Sequence, residues 1–128
     1  MEIDRLHLNA GDERDRGESN RVRRHMTYRY IVRAFFETPE VAAQWLRWLR
    51  EGHCREVLQG GARRAEILEI EDVADGFEVR YDFPDRTCFE AYELEHATGL
   101  REEGLRRFPT ERGIIYERAC GNVIHEED

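Results

Sequence analysis

The stretch WLRWLREGHCREVL, residues 45–58, decides how the rest of the chain is read. Val41, Ala42, Trp45, Leu46 and Leu49 recur at the i, i+3, i+4 spacing that lays side chains along one face of a helix. His53 falls four residues after Leu49 and extends that stripe, and Gly52 is where the helix is expected to end, with Cys54 to Leu58 as a short turn. A second helix, Asp85 to His96, repeats the arrangement. Leu46, Leu49, His53 and Val57 align with Phe89, Tyr92, His96 and Leu100 at one constant offset, as expected of two similar halves.

Working outward, TYRYIVRAFF (27–36) is rich in aromatic and β-branched residues, the composition of a strand. Its alternation puts Tyr28, Tyr30, Val32, Ala34 and Phe36 on one face and Arg29, Ile31, Arg33 and Phe35 on the other. Thr38-Pro39-Glu40 then opens the first helix with a hydroxyl cap, a proline and an acid in the first turn. Gly60-Gly61 leads into a second strand, Ala62 to Asp72. Asp75-Gly76 marks a tight hairpin, and Phe77 to Phe83 forms the third strand. Asp85 caps the second helix. Ala97 to Phe108 continues it, weakened by Gly99 and Gly104 and stopped by Pro109. Arg112 to Cys120 is the last strand.

The order βαββαβ predicts an α+β, ferredoxin-like fold: a four-stranded antiparallel sheet with both helices on one face. The other face would carry Arg29, Ile31, Arg33, Phe35, Glu78, Arg80 and Asp82. That set is too mixed for a dry core and too apolar for water, so a second copy is expected to cover it, enclosing a partly polar cavity between two sheets.

Composition bounds the rest. A chain of 128 residues supports one domain. Residues 1–26 read as a disordered extension, 27–120 as the domain and 121–128 as a polar tail. Met1 and Met26 are both possible starts. A net charge of −8 argues against a nucleic-acid binder, although every cationic residue is arginine. No apolar run reaches the roughly 18 residues of a membrane helix, and no apolar leader opens the chain, so a cytoplasmic protein is expected. Cys54, Cys88 and Cys120 lack CxxC spacing and read as free thiols.

The segments YRYIVRAFF, WLRWLREGH with CREVL, GGARRAEILEIED, FEVRYDF and FEAYELEHATGLREEGLRRFP together resemble a family of short bacterial proteins. That family is known only as a domain of unknown function within the dimeric α/β-barrel superfamily. The resemblance spans about Tyr28 to Cys120. In the family pattern a helix ends in Glu-His before a Val-Leu turn. Here Gly52 stands before His53, while the later Glu95-His96-Ala97 is intact. The resemblance implies the barrel-type dimer and carries no catalytic residues with it. Superfamily relatives range from cofactor-free monooxygenases to isomerases and haem enzymes.

Candidate chemistry rests on few residues. His53 and His96 could act as general bases at matched positions, or each could close a helix with its ring on the core stripe and a nitrogen on a terminal carbonyl. Arg29, Arg33 and Arg80 could clamp a small anion, or pair with Glu69, Glu78 or Glu117 within the dimer. His53, Cys54, Cys88 and His96 are too poorly spaced for a metal, and Cys54 lacks an oriented base. No cofactor is expected. Two functions follow: a non-enzymatic dimeric module for a small anionic or amphipathic molecule or a partner protein, and, as its alternative, a cofactor-independent monooxygenase or isomerase using His53 or His96.

Overall fold

The computed structural model describes residues 26–127; the expected N-terminal extension lies outside them, apart from Met26. The chain runs β1 (Tyr28–Phe36), α1 (Pro39–Trp48), a π-helical turn (Leu49–His53), α2 (Cys54–Gln59), β2 (Arg64–Glu69) and β3 (Gly76–Phe83). It continues through α3 (Arg86–Tyr92), a second π-helical turn (Glu93–Ala97), α4 (Thr98–Arg107), a 3₁₀ turn (Thr110–Arg112) and β4 (Ile114–Asn122). The four strands are antiparallel in the order β2-β3-β1-β4, the ferredoxin-like topology expected from the sequence.

Both helix starts form as read. Thr38 accepts a hydrogen bond from the Val41 amide at 3.3 Å, and Asp85 accepts one from the Cys88 amide at 2.9 Å. The first helix, however, does not stop at Gly52. It winds on through the π turn, where the Cys54 amide donates to the Leu49 carbonyl, and α2 replaces the expected turn. The reason lies in phase. Val57 is eight residues beyond Leu49, and at roughly 100° per residue an unbroken α-helix would set it about 80° round from Leu49, towards the margin of the apolar stripe. One extra residue absorbed in a wider turn restores the alignment, and Leu49 and Val57 are both fully buried. The second helix repeats the device between Tyr92 and Ala97, both buried, and likewise runs unbroken past His96.

Other boundaries move. β2 is shorter than the expected Ala62 to Asp72, and the hairpin is wider, with Asp72 and Asp75 in the left-handed region at φ 69° and 54°. Gly76 opens β3, where a Cβ would lie 2.9 Å from Val73 Cγ1 and 3.0 Å from Phe35 Cδ1; close packing, not turn geometry, holds the glycine there. β4 begins at Ile114 and runs to Asn122, two residues past the Cys120 end expected from the sequence. The Val123 amide still donates to the Thr27 carbonyl at 2.8 Å.

The core fills the layer between the helices and one face of the sheet. Tyr30, Phe36, Tyr81 and Phe83 meet Trp45, Phe89 and Tyr92 there, with Phe83 crossing Phe89 edge-on at 5.3 Å. The opposite face carries Ile31, Phe35, Leu68 and Ile115 among ion pairs. Ile115 is 66% exposed and Leu68 42%.

Candidate functional site

Two neighbouring cavities open in the layer between helices and sheet, on the side away from the bare face. The outer one is a cleft of about 300 Å³ between α3 and the β1–β4 edge, walled by Tyr28, Phe89 and Cys120. The inner one, about 60 Å³, reaches under both helices to Trp48 and His53. Tyr30, Arg101 and Arg118 line both and form the throat. The outer volume lies at the small end of the range for ligand pockets. A third, surface hollow shares Trp48 and His53 with the inner cavity.

Strand alternation supplies the sheet side of the throat. Tyr116, Arg118 and Cys120 point inward from β4, with Arg118 opposite Val32 and Cys120 opposite Tyr30. Arg118 is thus a guanidinium on the helix-covered face of an edge strand. Its Nε is buried and has no hydrogen-bond partner among the described residues. Arg101 comes from α4 and is held by Glu93 at 3.0 Å. Burial opposes its charge, but Tyr30 and Glu93 more than offset that, and its pKa lies above the ordinary value.

His53 is the inner group. Its ring stacks on the Trp48 indole at 4.2 Å, and its Nδ1 is buried without a partner among the described residues. Burial lowers its pKa to about 4, against a weaker opposing pull from Glu103, so the imidazole is neutral at pH 7. Trp48 in turn lies against Gly104, where a Cβ would come within 3.1 Å of the indole. Tyr81 and Tyr92 stay protonated: burial first, then neighbouring groups, raise their pKa values. Burial likewise pushes the Cys54 thiol up, with Tyr81 beside it, and gives no support to a nucleophilic cysteine.

The expected site residues separate. His53 faces the inner cavity, but its Nδ1 is not bonded to a helix-terminal carbonyl, because the helix does not end there. His96 is exposed, outside both cavities, with its ring near Tyr92 and over Gly60. The matched positions therefore do not converge. Arg29, Arg33 and Arg80 occupy the bare sheet face, and each holds a carboxylate of that sheet. Arg29 forks onto Asp82 at 2.7 and 3.2 Å, and Arg33 reaches Glu78 at 2.8 Å and Glu117 at 3.7 Å. Arg80 bonds the other oxygen of Glu78. Burial alone would raise the pKa of Glu78, but the two guanidinium groups outweigh it and hold the carboxyl below its usual range. Among the described residues no cluster of three or more His, Cys, Asp or Glu could hold a metal ion, and no helix is long and apolar enough to cross a membrane. Arg101 and Arg118, the cationic groups of the throat, were not singled out in the sequence. The inward register of Arg118 with Tyr116 and Cys120 was the pattern that could have found it.

An antiparallel four-stranded sheet carrying two helices on one face, with a ligand-sized cleft between the layers, defines a ferredoxin-like α+β protein. The chain belongs to a family described as a domain of unknown function, DUF4286, whose model matches residues 29–117. Solved structures share the fold at low identity. A dimeric ferredoxin-like protein from an uncultured marine organism aligns with a TM-score of 0.64 at 15% identity, over 80% of this chain and 99% of that one. A second such marine protein gives 0.60 at 13%, over 79% and 98%. A variant of SnoaB, a cofactor-independent oxygenase from Streptomyces nogalater, gives 0.59 at 12%, over 78% and 95%. No curated protein matches the sequence.

Proposed function

We propose that this protein is a homodimeric module that binds a small amphipathic molecule in the helix–sheet cleft. One observation carries the reading: His53 and Arg118, each with a buried ring or guanidinium nitrogen that has no partner among the described residues, line the same cavity. A buried donor or acceptor left unmatched costs roughly 1–3 kcal/mol, more when charged, and such sites are explained by what they are built to receive. The aromatic walls supply apolar area and the throat supplies polarity, the combination that orients a small ligand.

The second copy would close the bare sheet face. Its apolar residues alternate with mutually neutralised charges, so two such faces can meet across a two-fold axis without burying an unpaired ion. Two of the structural neighbours are themselves described as dimeric. A fragment screen by NMR on labelled protein tests the cleft. Hits should shift the amides of residues 86–93 and 118–120. Hits confined to the bare sheet face, or none at all, would sink the reading.

A second reading draws on His53 alone. A neutral imidazole with a bare nitrogen at the end of a cavity suits proton abstraction, and the fold is shared with a cofactor-independent oxygenase. It requires that dioxygen consumption with an acidic carbon substrate be lost in His53→Gln while cleft binding persists. Unchanged consumption would dismiss it.

A further inference from the structure

The throat goes beyond marking where a ligand sits, because its charges are not equally spoken for. Among residues of the outer cleft, Arg86 is held by Glu90 at 3.2 Å and Arg101 by Glu93 at 3.0 Å. Arg118 has no carboxylate partner among the described residues. Three cations against two anions leave the cleft one positive charge in excess, localised on that guanidinium. The cation is set into the wall by β4, with Cys120 next along the inner face and Tyr30 opposite Cys120 across the ladder. Its field is felt by the hydroxyls of Tyr92 and Tyr116. The space beyond it is aromatic: Tyr28 and Phe89 rings lie 4.9 Å apart and Tyr30 and Phe89 5.6 Å.

We infer that the ligand of this cleft is a monocarboxylate on an aromatic or alicyclic body, its carboxylate received by Arg118. The inference rests on the reading of the cleft as a ligand site. A planar guanidinium fork matches the two oxygens of a carboxylate, and a single unneutralised cation suits one negative charge better than the two of a phosphate monoester. A flat hydrocarbon body would lie along Tyr28 and Phe89, filling the apolar part of a cleft of about 300 Å³.

The experiment compares two probes of the same shape, 2-naphthoate and 2-naphthamide, by calorimetric titration into the intact protein. Naphthoate should bind at least about tenfold more tightly, the worth of one charge-assisted pair in a partly dry site. Arg118→Met, which keeps the stem and removes the fork, should bring the two affinities together, with the larger loss on naphthoate. Arg118→Lys should recover only part of the preference. If wild-type protein binds both probes equally in the cleft, the ligand site stands and the carboxylate assignment falls. If neither binds at millimolar concentration, the cleft reading falls and takes the assignment with it. The wild-type comparison is decisive even if the substituted proteins fold poorly. A preference that survives in Arg118→Met would overturn the role given to this arginine.

Discussion

His53 shows how one side chain's surroundings fix its protonation. Its ring lies on Trp48, and burial lowers its pKa to about 4 from the 6.5 of a free imidazole. Between those values the unfolded chain binds a proton that the folded chain refuses. Stability should therefore fall as pH drops from about 6.5 to 4 and feel no further effect of this group below that. The full difference is on the order of 3 kcal/mol. His53→Phe preserves the stacked ring and removes the titration, so the loss of melting temperature between pH 7 and 4 should be smaller than in the wild type. Parallel curves for the two proteins would show that the ring is freely protonated in the fold. Residue-scale legibility was uneven. His53 was found because it continues an apolar stripe. Arg118 was passed over because an arginine in a strand reads as solvent-facing, and only its register with Tyr116 and Cys120 turns it inward.

Gly52 reads as a stop, yet the helix passes through it, and a Cβ added there would meet nothing within 4 Å. Gly52→Ala should stabilise the protein by roughly 0.5–1 kcal/mol, by relieving the entropy cost of a helical glycine. Gly60 is the contrasting case. A Cβ there would approach Tyr92 Cδ1 to 2.9 Å and His96 Cγ to 3.2 Å. Gly60→Ala should cost about 1–3 kcal/mol by overpacking, unless the exposed His96 ring yields. Chemical denaturation of the pair checks both signs. If Gly52→Ala destabilises, the first π turn needs glycine for its own geometry. Propensity alone could not reveal the π turns. The eight-residue step from Leu49 to Val57 was no signal, since such positions share the apolar stripe of a regular helix; the step from Tyr92 to Ala97, about 140° out of phase on one, is the clearer sign. The strand order needed no such correction, because alternation survives small errors at strand ends.

At the scale of the molecule, the two sheet faces divide the work: one walls the cleft, and the other is proposed to meet a second copy. Ile115 belongs to that second face and is 66% exposed in the single chain, so its own fold gains little from it. Ile115→Glu should convert a dimer to a monomer in sedimentation equilibrium with only a small change in the fold's spectrum. A wild-type protein that sediments as a monomer at micromolar concentration would remove the dimer, though not the cleft. The sequence led to a cavity between two sheets because the mixed face was conspicuous. A ligand-sized opening beneath the helices depends on how two aromatic layers fail to close, which pattern reading does not resolve.

The sheet order has a temporal side. β1 is the first strand of the described chain to leave the ribosome, yet one of its edges pairs only with β4, the last. Until residue 122 has emerged, the nascent chain can hold its helices and the β2–β3 hairpin, but one edge of β1 stays open and Arg118 is not yet in place. The cleft thus waits on β4, and a chain interrupted before Ile114 would offer a sticky strand in place of the proposed site.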